Sequence, residues 1–278
     1  MLQDIEPKRL NNEFVADATP QPQDLVIHYR HDALLVRTGE EHIVLPRVED
    51  LPSTEGLIQL FSIDDEVFWG SAADELEHPA EFSHVGLRDL RHSTSGPRYL
   101  VYAAYTAYQL LRWYRHNLFC GRCGKPTTIA QGERAIDCTG CGRRIYPKVQ
   151  PAVIVGVTDG NRILMTKYAN RPFADWALVA GFTEIGETLE QTVEREVFEE
   201  VGLRVGNVRY YKSQPWGIAS DILAGFYCDV IGSPEVRLDK NELKVAQWFE
   251  REDVVGQRDD ISLTNEMMMT FKEGKEPR

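Results

Sequence analysis

The sequence predicts an α/β protein of the α+β kind: a β-rich N-terminal domain ending in a helix, a small four-cysteine knuckle, and a mixed α/β sandwich. Three observations carry this reading. Short apolar or β-branched runs separated by turn-like residues fill the region from about Asp24 to Ala72. Two C-x-x-C pairs lie close together between Cys120 and Cys141. From Pro151 onward, strand-like and helix-like segments alternate. A chain of 278 residues is too long for one small core, and we divide it at 1–117, 118–148 and 149–278.

Taken in order, LVIHY, ALLVR, HIVLP, LIQLF and EVFWG read as strands, punctuated by pairs such as Thr38-Gly39 and Asp64-Asp65. A helix is expected from Ser95 to about Asn117, with Pro97 suited to its first turn and Tyr99, Ala103, Ala107, Leu110 and Leu111 at helical spacing. Its aromatics Tyr102, Tyr105, Tyr108, Trp113 and Tyr114 read as core or interface. In the last segment PAVIVGVT and RILMTKY are strands. They lead to a helix from Thr188 to Val201, strands near Val208–Lys212 and Ile222–Val230, and a final helix from about Ser262 whose Met267, Met268 and Met269 are packing residues.

Hydrophobic content of 42% and charged content of 27% are those of a folded globular protein. The formal net charge of -12 speaks against a nucleic-acid binder held by a basic face, and an anionic substrate would need a cation at its site. The first residues, MLQDIEPKRLNNEF, have no signal-type apolar core, and no run approaches the ~18 apolar residues of a spanning helix, so a cytoplasmic location without membrane contact is expected.

Cys120, Cys123, Cys138 and Cys141 present four thiolates in two tight turns, eased by Gly121, Gly124, Gly140 and Gly142. Four such ligands satisfy a tetrahedral zinc ion and leave no open position, so the metal is expected to be structural, one per chain. A redox dithiol needs only one pair and leaves the second unexplained. Cys228, alone in GFYCDV, reads as a small buried hydrophobe.

The most informative stretch runs from Gly181 to Leu203. Thr188 and Gln191 form a Thr-x-x-Gln capping box, and Gly202 is placed to end the helix. Leu189, Val193, Val197 and Val201 make the core stripe. Glu196, Glu199 and Glu200 make a second stripe at i, i+3 and i+4. Three carboxylates on one flank repel unless cations sit among them, and only Arg195 is near enough on the helix to pair with Glu199. Hard divalent ions such as Mg²⁺ or Mn²⁺ suit this donor set.

The stretch G-x5-E-x7-R-E-U-x-E-E-x-G-U, with U aliphatic, resembles the Nudix box at every fixed position from Gly181 to Leu203. The resemblance implies the Nudix α/β/α sandwich and hydrolysis of a nucleoside diphosphate linked to another group. It implies that Glu196, Glu199 and Glu200 bind catalytic Mg²⁺ or Mn²⁺ with the Ala180 carbonyl, and that Glu187 and Arg195 form an ion pair holding loop against helix. With the ribbon directly ahead of the box and a separate N-terminal domain before it, the architecture resembles the NADH pyrophosphatase (NAD diphosphatase) family. That family carries S-Q-P-W-P-F-P-x-S after the box. Here Ser213-Gln214-Pro215-Trp216 is intact, while Gly217, Ile218 and Ala219 stand where the family has Pro-Phe-Pro.

By the same resemblance Arg47, Arg88, Glu133, Tyr146, Phe182, Gln214, Pro215, Trp216 and Thr264 are expected at the substrate, and Glu242 in KNELKVAQW as a further metal-binding glutamate. The implied activity is cleavage of NADH or NAD⁺ to nicotinamide mononucleotide and AMP by a homodimer. Removal of NAD caps from RNA 5′ ends is a related reading. Two rivals stand beside it: a broader Nudix hydrolase acting on ADP-ribose or similar diphosphates, favoured by Gly217-Ile218-Ala219, and a non-catalytic nucleotide-sensing regulator. The intact Arg195-Glu196 and Glu199-Glu200 set counts against the regulator.

Overall fold

β-branched and aromatic residues dominate the strands of the N-terminal region, and the structure, a computed structural model, gathers them into one sheet. Residues 1–38, 42–87, 89–92, 96–169, 175–258 and 260–277 are described; the expected turn at Gly39, the helix start at Ser95 and the site residue Arg88 lie outside them. The chain packs as two units. One is Leu2–Lys148 with Gly217–Ser220, and the other is Met1, Val149–Trp216 and Asp221–Arg278.

In the first unit the strands are β1 (Leu10–Asn11), β2 (Leu25–Arg30), β3 (Ala33–Thr38), β4 (Ile43–Val44), β5 (Leu57–Ile63), β6 (Glu66–Ser71) and β7 (Ser83–Gly86). They form one sheet in the order β1-β5-β6-β2-β3-β4, with β7 on β3. Among the described strands of this sheet only the β2–β6 pairing is parallel, with Leu25 opposite Phe68 and His28 opposite Ser71. A short helix α1 (Asp89–His92) precedes α2 (Arg98–His116), which lies against β2, β5 and β6. Tyr102, Tyr105, Trp113 and Tyr114 of α2 are buried, as their spacing predicts. The Tyr29 hydroxyl donates to the Ala104 carbonyl at 2.7 Å. Gly70 of β6 leaves room for the methyl groups of Leu60 and of Leu111 on α2.

His28 of β2 is fully buried. Its Nε2 donates to the Ala73 carbonyl at 3.1 Å, which leaves Nδ1 to accept from His84 Nε2 at 3.2 Å. Burial holds the imidazole neutral and pushes its pKa down to about 4.

The knuckle adds β8 (Thr127–Ile129), β9 (Ile136–Cys138) and β10 (Arg144–Ile145) as a small antiparallel sheet in the order β10-β9-β8.

The second unit contains β11 (Gln150–Asp159), β12 (Arg162–Tyr168), β13 (Val179–Phe182), α3 (Leu189–Val201), β14 (Val205–Trp216), β15 (Asp221–Val230), β16 (Leu243–Glu250) and α4 (Leu263–Lys272). The sheet order is β14-β15-β11-β12-β16, with β13 on β11. Period-two alternation splits its side chains between two cores. Val153, Val155, Val157, Ala224 and Phe226 pack under Val193, Val197 and Val201 of α3. Ile154, Tyr227 and Leu223 pack under Leu263, Met267, Met268 and Phe271 of α4. Helices on both faces of a mixed sheet give the expected α/β/α sandwich. Cys228 is buried, as its setting predicts.

Candidate functional site

The start of α3 is fixed by Thr188, whose hydroxyl accepts from the Gln191 amide at 3.3 Å while the Gln191 side chain accepts from the Thr188 amide at 2.9 Å. Its end is fixed by Gly202 at φ 69, in the left-handed region. Between these caps the helix buries Val193, Val197 and Val201, and this sets the angle at which the carboxylate stripe emerges.

Glu196 and Glu200 are buried, whereas Glu199 is exposed. Gly181 of β13 lies directly under Glu196, where a Cβ would collide with the carboxylate. The glycine is therefore required by the close approach of helix and strand. One oxygen of Glu200, Oε2, is buried with no hydrogen-bond partner, and its carboxylate accepts from the Ala180 amide. Burial, then the charges of Glu196 and Glu242, push the Glu200 pKa up to about 8. Burial also raises Glu196. The structure thus brings Glu196, Glu200 and Glu242 within one another's field, and Glu242 itself is exposed. An all-oxygen donor set, an orphaned buried carboxylate oxygen and negative charge that Arg195 offsets only in part together fit a hard divalent cation.

Arg195 spans the stripe. It forks onto Glu187 through Nε at 2.5 Å and Nη2 at 2.9 Å, and Nη2 also donates to the Phe182 carbonyl at 2.9 Å. Nη1 donates to Glu196 at 2.7 Å and Glu199 at 2.9 Å. Glu187 accepts further bonds from the Thr192 hydroxyl and the Glu184 amide, each at 3.0 Å. The arginine holds its carboxyl down at about 2. Loop and helix are locked by the expected ion pair.

The four cysteine sulfurs lie within 4.8 Å of one another, the one such cluster of His, Cys, Asp or Glu among the described residues. Cys120 and Cys141 are 3.8 Å apart and Cys123 and Cys138 3.4 Å. A tetrahedron with Zn–S bonds of about 2.3 Å has edges of about 3.8 Å, so the sulfurs fit zinc. The amides of Cys141 and Gly140 point at the Cys138 sulfur at 3.4 and 3.3 Å, and they lower its pKa to about 6.

The remaining predicted residues divide. Glu133 and Tyr146 come together on the knuckle, the phenol donating to Glu133 Oε1 at 3.2 Å. Arg144, which sequence reasoning missed, donates to Glu133 at 2.5 Å and forks onto Asp137 with two 2.8 Å bonds. Its position opposite Asp137 on paired strands was a usable signal. Arg47 is exposed, its guanidinium on the Gln23 carbonyl at 2.6 Å. Phe182 is 51% exposed, Pro215 is exposed, and Trp216 and Thr264 are half-buried. Gln214 is fully buried: its amide nitrogen donates to the Ile261 carbonyl and its oxygen accepts from the Leu263 amide, both at 2.7 Å, so it caps α4. In the first unit Gly217 faces α2 so closely that a Cβ would run into the Tyr105 carbonyl oxygen, and Arg112 donates to the Ile218 carbonyl at 3.0 Å. A proline has no room at 217.

Comparison with known proteins follows the same division. The NUDIX domain model matches residues 148–269, and the NADH pyrophosphatase zinc ribbon domain matches residues 115–146. The NAD-capped RNA hydrolase NudC of Actinobacillus succinogenes is 40% identical over 181 residues, covering 62% of this chain and 67% of that protein. The protein of that name from Haemophilus influenzae strain PittEE is 35% identical over 200 residues, 70% of this chain and 73% of that one. The Klebsiella pneumoniae subsp. pneumoniae relative is 40% identical, and the match spans only 56% of its length. Among solved structures, a NUDIX hydrolase from Nitrosomonas europaea aligns with TM-score 0.48 and 23% identity over 56% of this chain and 90% of that chain.

Proposed function

Because the chain belongs to the zinc-ribbon NADH pyrophosphatase branch of the Nudix hydrolases, we propose that it hydrolyses the pyrophosphate bond of NADH and NAD⁺ to nicotinamide mononucleotide and AMP, and that it removes NAD caps from RNA 5′ ends. The observation that carries the reading is the carboxylate stripe of α3 held over Gly181 with an orphaned Glu200 oxygen. A surface helix laced by salt bridges has no reason to bury such a group.

In this reading Glu196, Glu199, Glu200 and Glu242, with the Ala180 carbonyl, would hold Mg²⁺ or Mn²⁺, which would neutralise charge on the phosphate oxygens while water attacks phosphorus. Arg195 and Glu187 keep the loop before α3 in place. Phe182, Trp216 and Pro215 offer apolar surface to the bases, and Thr264 sits in the first turn of α4. Gln214 acts through the α4 cap it makes. By the resemblance alone we keep Arg47, Arg88, Glu133 and Tyr146 as candidate substrate-contacting residues. Zinc in the ribbon is structural.

We read the active form as a homodimer, for which exposed Leu118, Phe119 and Tyr146 supply apolar surface. No described helix is long and apolar enough to cross a membrane, and we place the enzyme in the cytoplasm. ADP-ribose is a second substrate in this reading, because Gly217-Ile218-Ala219 replaces an aromatic-bearing segment; one lost stack weakens discrimination about three- to tenfold. Chromatography of products from NADH, NAD⁺, ADP-ribose and NAD-capped RNA at equal metal and enzyme tests it. Cleavage of ADP-ribose or a nucleoside triphosphate at least about tenfold better than either dinucleotide would leave only the general Nudix reading.

A further inference from the structure

The turn between β14 and β15 departs from the family pattern, and its surroundings show what holds it instead. Trp216 ends β14 and pairs with Asp221, which opens β15, so Gly217–Ser220 is the four-residue loop that closes this hairpin. The Ser220 amide donates to the Gly217 carbonyl at 3.3 Å, and Ser220 sits at φ 63, in the left-handed region. A Pro-Phe-Pro segment fixes its own backbone at both prolines, because the ring sets φ. Gly217 and Ala219 supply no such restraint, and a glycine widens the choice of conformations. The restraint has to come from another element.

Helix α2 supplies it. Gly217 is buried against the helix at the Tyr105 carbonyl, in a space too narrow for a Cβ. One residue on, the Ile218 carbonyl accepts from Arg112 Nη1 at 3.0 Å. Arg112 is half-buried, and among the described residues that carbonyl is its one hydrogen-bond acceptor, with no carboxylate in ion-pair reach. Its guanidinium lies over the Tyr108 ring at 5.4 Å. Tyr108 in turn stands edge-on to Tyr29 of β2 at 5.0 Å. The arginine is thus itself held in place, and it directs a charge-assisted hydrogen bond at the backbone of the turn.

We propose that Arg112 is a positioning residue: by holding the β14–β15 turn at the Ile218 carbonyl, it fixes the setting of Trp216 at the end of β14. A hairpin passes the geometry of its loop to the residues that flank it. The inference rests on the reading above in which Trp216 offers its surface to the substrate.

The test measures kcat and KM for NAD⁺ in the wild type, Arg112→Met, Trp216→Ala and the double variant. Methionine keeps an apolar stem and removes the donor. Trp216→Ala is expected to raise KM about tenfold. Arg112→Met should raise it about three- to tenfold with kcat within about twofold, because binding shared by ground and transition states moves KM alone. In the double variant KM should equal that of Trp216→Ala, since a residue acting only through the indole has nothing left to act on. A role in stability alone predicts effects that multiply, and that result overturns the proposal, as does an unchanged KM in folded Arg112→Met. If the methionine variant does not fold, the wild type decides. Backbone order parameters at Ile218 and Ala219 are expected to match the flanking strands at about 0.85, and a drop toward about 0.6 overturns the anchoring. A wild type that leaves NAD⁺ and NADH intact, or a Trp216→Ala variant with unchanged KM, overturns the underlying reading and this inference with it. A Trp216→Ala effect without an Arg112→Met effect overturns the inference alone.

Discussion

In Glu200→Gln the side chain keeps its size and can still accept the Ala180 amide, and one negative charge is lost. Two effects of opposite sign follow. In the metal-free protein the carboxylate is buried beside Glu196 and Glu242, and its pKa stands at about 8 against an ordinary 4.5. The unfolded chain releases this proton as pH rises through 4.5 and the folded chain holds it to about 8, so Glu200 lowers stability progressively across that window and fully above it. At pH 7 the gap from 4.5 spans about 2.5 pH units at 1.36 kcal/mol each, or about 3 kcal/mol. Glutamine removes that cost. Glu200→Gln should therefore raise the thermal midpoint of metal-free protein by several degrees at pH 7, and flatten its dependence on pH between 4.5 and 8. Turnover should fall by about a hundredfold or more, some 2.7 kcal/mol of barrier, because a charged cation ligand is gone. Calorimetry in chelator and a product assay at saturating Mg²⁺ read the two effects. A variant with near-normal turnover, or one less stable than wild type without metal, would refute the reasoning.

Cys138→Ser removes the thiolate that backbone amides favour most, and elemental analysis should find less than one zinc per chain, with lower solubility; fully folded, active wild type free of zinc would contradict a structural role. Gly181→Ala puts a methyl where the Glu196 carboxylate lies, so metal affinity and kcat should each drop at least about tenfold while circular dichroism is unchanged. His28 is held neutral, with its pKa near 4 in the folded state and 6.5 when unfolded. The unfolded chain therefore gains its proton first as pH falls. Stability of the first unit should drop by about 2 kcal/mol between pH 6.5 and 4 once solvent screening is allowed for, and denaturant titrations of His28→Gln should show a shallower slope.

The helix of the carboxylate stripe was legible because its limits depend on neighbours in sequence: the capping box at Thr188 and Gln191 and the left-handed Gly202 are local devices. The zinc ligands were legible for the same reason. What escaped depends on partners distant in the chain. The strands of the first unit announce themselves by composition, yet nothing local says that β2 pairs in parallel with β6, and the two-residue β1 forms only because β5 is there to receive it. Gln214 reads as a motif residue, while its bonds to Ile261 and Leu263 come from α4.

Arg195 shows how such a site tolerates its own charge. Of its contacts, those to Glu196 and Glu199 engage oxygens that a cation would also claim, each through the single nitrogen Nη1. Those to Glu187 and the Phe182 carbonyl use Nε and Nη2. Glu187 is in turn anchored by Thr192 and the Glu184 amide, so it is the fixed end of the network. The guanidinium therefore has one mobile and one permanent set of partners. It can partly offset the repulsion among the stripe carboxylates while no cation is present, and yield Glu196 and Glu199 without releasing the loop. Lysine at 195 could neutralise the charge but could not divide its donors this way, since the split depends on the planar fork.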